Sequence, residues 1–182
     1  MPDLLEEILE FNKRFVADRE YEKYDTSRLP DKKIAILTCM DTRLTELLPA
    51  ALNIRNGDVK MIKNAGALIS HPFGSVMRSL LLAVYDLGVE EVMVVGHHDC
   101  SMKGLEPEGI LDRMRARGVE PERLEMLRYC GIDIRSWFRG FEDSYDSVRE
   151  TVNSVRNHPL MPGDVRVRGF LMDPFTGLLE SV

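Results

Sequence analysis

The chain has 182 residues, of which 44% are hydrophobic and 30% charged, with a formal net charge of −6. That size can bury a core without disulfide or metal staples, so any metal is expected to be functional rather than needed for folding. The acidic balance, with basic residues spread rather than clustered, argues against sequence-independent nucleic-acid binding, and no apolar run reaches the roughly 20 residues of a membrane-crossing helix.

Residues Leu4 to Val16 place Leu4, Leu5, Ile8, Leu9, Phe11 and Phe15 at helical spacing, which predicts an amphipathic helix with acidic residues near its start. Such a segment is unlike a signal peptide, so a cytoplasmic location is expected. Pro30 and Asp31 punctuate the chain. A single domain over 1–182 is expected, as an N-terminal helical arm (1–30) and an α/β core (31–182).

Ile34 to Leu37 is continuously apolar, as a strand buried on both faces would be, and Thr38 and Cys39 lie at its carboxyl end. A second strand is expected over Val59 to Ile62, then a loop over Asn64-Ala65-Gly66-Ala67, then a helix from Ser75 to Leu87 ended by Gly88. Val92 to Val95 is a third buried strand, followed at once by Gly96-His97-His98-Asp99-Cys100. Short helices are expected over Pro121 to Cys130 and Ile132 to Phe141, and a longer one over Ser144 to Val155. Val165 to Leu171 reads as the last main strand, with Asp173 to Gly177 as a turn and Leu178-Leu179 as a short return. The alternation predicts an α/β fold, with a mostly parallel central sheet flanked by helices, an N-terminal helical arm and a C-terminal hairpin-like strand.

Ligands of such sheets sit beyond the carboxyl ends of strands. Cys39 and His97 both fall there, and Cys100 is three residues past His97. Two cysteines and a histidine with one open position form a known catalytic zinc arrangement, and thiolate sulfur favours zinc over magnesium or calcium. On spacing alone, buried free cysteines and a backbone-bonded histidine explain these residues equally well. Asp41 and Arg43 follow Cys39 as Cys-x-Asp-x-Arg, which reads either as a working pair beside a metal or as an exposed salt bridge.

Cys39-Met40-Asp41-Thr42-Arg43, Lys63-Asn64-Ala65-Gly66-Ala67 and Gly96-His97-His98-Asp99-Cys100 resemble, in order and spacing, the three signature segments of β-class carbonic anhydrases. The resemblance is strong over Ile34 to Met102 and weaker onward to the closing turn that carries Asp173, Thr176, Gly177 and Leu179. It departs from many relatives at Lys63, where they have Arg, and at Ser101, where they have Gly. It implies a Zn²⁺ ion on Cys39, His97 and Cys100, and an Asp41–Arg43 dyad. It also implies a substrate pocket lined by Asn64, Ala65 and Gly66, and a homodimer or higher homo-oligomer in which the arm packs on a second subunit. The implied activity is reversible hydration of carbon dioxide to bicarbonate by zinc-bound hydroxide. In some relatives the Asp41 equivalent also binds zinc as a fourth ligand, a closed and inactive state.

His98 and His71 are candidate proton carriers, and Asp99 is expected to cap a turn or bond a neighbouring group. Cys130 is expected to be structural. Two rival readings share these residues: a carbonyl sulfide or carbon disulfide hydrolase, and a non-catalytic zinc scaffold or sensor. No Cys-x-x-Cys pair supports redox work, Thr45 stands where a phosphatase loop needs Arg, and no Gly-x-Gly-x-x-Gly follows a strand.

Overall fold

A computed structural model describes residues 3–182. Five strands form one sheet: β1 (Ile34–Cys39), β2 (Val59–Asn64), β3 (Glu91–His97), β4 (Arg166–Met172) and β5 (Leu179–Ser181). Their order is β2-β1-β3-β4-β5, with β5 antiparallel to β4 and every other neighbouring pair parallel. From β1 the chain winds one way to β2 and the other way to β3. The β1/β3 junction is therefore the topological switch point, where α/β sheets open a crevice.

Both faces of β1 and β3 are covered, which is why these strands read as unbroken apolar runs. One face packs Ala35, Leu37, Val92 and Val94 against α3 (Ser75–Tyr85) and α7 (Ser144–Arg156), through Met77, Leu80, Val148 and Val152. The other packs Ile36, Val95 and Met172 against α2 (Leu44–Ala51), through Leu44 and Leu48. Gly96 lets α7 approach the sheet, since a Cβ there would lie 2.6 Å from Val148 Cγ2.

Four segments differ from the sequence expectation. Helix α2 was hidden because it is eight residues long and contains Pro49, which removes one internal hydrogen bond. Helix α4 (Pro107–Ala116) carries too many charges and a glycine for its apolar stripe to show. Strand β2 runs on through Asn64, so the expected loop begins one residue later as a 3-10 turn over Ala65–Ala67. The helix expected over Ile132 to Phe141 shortens to α6 (Ile134–Phe138), because the Asp133 carboxylate accepts from the Arg135 and Ser136 amides and starts the helix after itself. Helix α5 (Pro121–Tyr129) precedes it, and Cys130 at its end is exposed rather than packed in a core.

Helix α1 (Leu4–Ala17) has no buried residue. Its apolar stripe faces outward, with Leu4, Leu5, Leu9 and Phe11 each more than 60% exposed. No helix among the described residues is long and apolar enough to cross a membrane.

Candidate metal centre

Cys39 closes β1 and His97 closes β3, so the parallel register delivers both to one edge of the sheet. The His98 amide still bonds the Met172 carbonyl at 3.0 Å, and Asp99 then adopts a left-handed backbone with φ 54°. That turn brings Cys100 back beside Cys39, with 3.9 Å between their sulfurs. The ligand atoms of Cys39, His97 and Cys100 all lie within 4.8 Å of one another, and all three residues are buried. No other such cluster of three metal-capable side chains occurs among the described residues.

His97 is oriented by its own neighbour. Its Nδ1 lies 2.7 Å from the His98 carbonyl oxygen. A carbonyl only accepts, so Nδ1 carries the proton and the neutral ring presents its lone pair at Nε2. That Nε2 is buried and has no hydrogen-bond partner. Leaving such an atom unsatisfied costs about 1–3 kcal/mol. Burial opposes charge on the ring, but the adjacent Cys39 sulfur and Asp41 carboxylate outweigh it and draw His97 toward a positive charge.

The sulfurs point the same way. The Cys100 thiol bonds Cys39 and lowers the Cys39 pKa, helped by the Gly66 amide, which donates to Cys39 Sγ at 3.4 Å. Cys100 is pushed up, by that same sulfur and by burial. Two thiols this close cannot both ionise without a compensating cation. Two soft sulfurs, one unprotonated imidazole nitrogen and a local deficit of positive charge together fit Zn²⁺.

Asp41 and Arg43 stand at the rim. The Asp41 carboxylate first accepts the Arg43 amide at 2.9 Å, a turn that leads into α2. It then takes the guanidinium bidentately, Nε to Oδ1 at 3.0 Å and Nη2 to Oδ2 at 2.8 Å. Arg43 thereby holds the Asp41 carboxyl well below its usual value, down to about 2, against the opposing effect of burial. Asp41 Oδ2 also lies 3.9 Å from His97 Nε2. The remaining face and edge of Arg43 meet Phe175, whose ring centroid is 5.4 Å from Cζ, and Asp99.

The expected pocket residues adjoin the cluster. Gly66 has φ 81°, and a Cβ there would meet Leu68, Met102 and Phe141 within 3.1–3.3 Å, so both conformation and space require glycine. Asn64 pairs with Cys39 across β1 and β2, donates from Nδ2 to the Leu68 carbonyl at 2.7 Å, and leaves a buried Oδ1 unpartnered. Ala65 is half-buried between them. His98 faces Glu180 and Tyr145, while His71 Nδ1 accepts the Phe73 amide. The sequence reading missed Phe175; its one visible signal was the turn at Asp173, whose carboxylate accepts the Phe175 and Thr176 amides. A concavity of about 690 Å³ lies elsewhere, around Leu111, Arg128 and Arg135.

Residues 34–120 match the family model described as carbonic anhydrase. YtiB of Bacillus subtilis (strain 168), which carries a provisional carbonic anhydrase name, is 55% identical, covering 98% of this chain and 96% of its own. A carbon disulfide hydrolase of Acidithiobacillus thiooxidans is 28% identical over 82% of this chain and 77% of its own. The crystal structure of β-carbonic anhydrase isoform I of Trichomonas vaginalis superposes with a TM-score of 0.89 at 32% identity, covering 98% of this chain and 97% of that one.

Proposed function

The chain belongs to the β-class carbonic anhydrase family, and on that premise we propose that it catalyses reversible hydration of carbon dioxide to bicarbonate, with zinc held by Cys39, His97 and Cys100. The observation that carries this reading is the buried, unpartnered His97 Nε2 beside two sulfurs 3.9 Å apart. Bound Zn²⁺ would supply the Lewis acidity that makes water a nucleophile near neutral pH.

The dyad does the rest. Arg43 keeps Asp41 ionised, and an ionised carboxylate only accepts hydrogen bonds. Asp41 therefore accepts from the nucleophilic oxygen and turns a lone pair of that oxygen toward the carbon of CO₂. Two thiolates leave less Lewis acidity than three neutral imidazoles would, which raises the value of that positioning. The new C–O bond gives bicarbonate, and the proton lost by water passes to solvent. Asn64, Ala65 and Gly66 would line the substrate's side, with Met102 and Phe141 as an apolar wall.

A permanent Asp41–metal bond would instead make the site a closed scaffold. Both Asp41 oxygens bonding Arg43 favour the open, catalytic form. The apolar wall also suits carbon disulfide or carbonyl sulfide, linear molecules open to the same attack, and a carbon disulfide hydrolase is among the relatives. The outward stripe of α1 supports a homodimer in which this arm packs on a second copy. A cytoplasmic setting accords with cysteines free of disulfides.

Metal analysis and stopped-flow assays with carbon dioxide, carbonyl sulfide and carbon disulfide test the proposal together. One zinc per chain with carbon dioxide as the fastest substrate is the expected result. Zinc with a faster sulfur substrate would move the assignment to the hydrolases. Zinc with no turnover, even at alkaline pH, would leave the scaffold.

A further inference from the structure

Asp41 Oδ2 is the most consequential atom at the rim, because it sits within reach of two partners. It accepts Arg43 Nη2 at 2.8 Å and lies 3.9 Å from His97 Nε2. A small rotation would take it from the guanidinium to the metal ligands. Whether it stays depends on where Arg43 is held, and Arg43 is a long, flexible side chain.

We propose that Asp99 is the positioning residue that holds Arg43 over Asp41 and so keeps the carboxylate off the metal. The inference rests on the zinc-site reading above. Asp99 gives Arg43 two acceptors: its carboxylate Oδ2 takes Nη1 at 2.8 Å, and its carbonyl oxygen takes Nη2 at 2.9 Å. With the Asp41 bonds these engage every nitrogen of the guanidinium, while Phe175 covers its face. The double contact accompanies the left-handed backbone at Asp99, a conformation that Asp and Asn tolerate better than other side chains. Asp99 lies between His97 and Cys100 in sequence, so the turn that carries the metal ligands also carries the clamp.

The Asp99 side chain is 72% exposed, and an exposed ion pair adds little to stability. Its effect is therefore on position. Arg43 freed from Asp99 binds Asp41 less firmly, and Asp41 then becomes a fourth ligand more often. That exchange predicts opposite changes in two measurements: activity falls while metal affinity rises.

The test uses the full-length zinc protein with Asp99→Gly, which removes the carboxylate without straining a positive φ. The kcat should fall roughly fivefold with KM little changed, and zinc affinity by chelator competition should rise by a similar factor. The visible spectrum of the cobalt-substituted variant should shift toward the closed, four-protein-ligand form. Asp99→Asn keeps an acceptor oxygen and the backbone preference, and should restore most of the kcat and the original affinity. In the Asp41→Ala background, Asp99→Gly should change affinity no further. Unchanged kcat and affinity, or a fall in affinity, would overturn the proposal, the latter showing that Asp99 only shapes the ligand turn. The affinity and cobalt readings need no substrate, so they decide the role of Asp99 even if the carbon dioxide assignment fails.

Discussion

The carboxyl edge of β1 and β3 and the helix α1 are both rich in apolar residues, yet the chain treats them oppositely. Ala35, Ile36, Leu37, Val94 and Val95 are completely buried, and Cys39, His97 and Cys100 end in that packed block. Leu4, Leu5, Ile8 and Leu9 are each more than half exposed. A site that needs fixed ligand distances is built where packing leaves side chains no alternative. The arm contributes nothing to that block and leaves its apolar stripe exposed.

The largest expected effect falls at the sheet edge. Cys100→Ala should reduce zinc from about one ion per chain to near zero and activity by more than about 100-fold, while far-UV circular dichroism stays unchanged. Metal analysis and stopped-flow hydration check both. Asp41→Ala, at the rim, should retain zinc and lose about 10- to 100-fold in kcat. Loss of the metal in that variant would show Asp41 to be a ligand instead.

The comparison sharpens with a matched pair. Leu37→Ala in the packed block should cost about 2–5 kcal/mol in denaturant unfolding. Leu9→Asp in the arm should change the unfolding of the core by less than about 0.5 kcal/mol. Its effect should show instead in sedimentation, as a shift from dimer to monomer. Equal losses of core stability would break the distinction.

The smallest effect concerns Asp58 in the turn before β2. The Arg55 amide, first, and then Lys32 hold its carboxyl below the ordinary value. A lowered carboxyl adds stability above the unfolded pKa of about 3.9, and that stability disappears as pH falls toward and below it. Asp58→Asn should therefore lose a little Tm at neutral pH and show a flatter decline from about pH 5 to pH 3. Thermal melts across that range measure it.

The sequence legibly carried the strands, because Ile34 to Leu37 and Val92 to Val95 must be apolar on both faces. It carried the metal-capable residues as well, since ligand chemistry limits which side chains can serve. Helix α2 was not legible, as tertiary packing of Leu44 and Leu48 overrides Pro49 there. Nor were the contacts of Asp99 and Phe175 with Arg43, which bring together parts of the chain with no periodic pattern to link them.

By itself, then, the sequence determined which side chains could bind a metal and which segments must be buried, because donor chemistry and hydrophobicity belong to residues. Only the tertiary structure decided that Asp41 lies between Arg43 and His97, and that Asp99 turns its carbonyl and carboxylate onto one guanidinium. Those are matters of distance and direction, set by the strand order that places β1 against β3 and by one left-handed residue, Asp99, between His97 and Cys100.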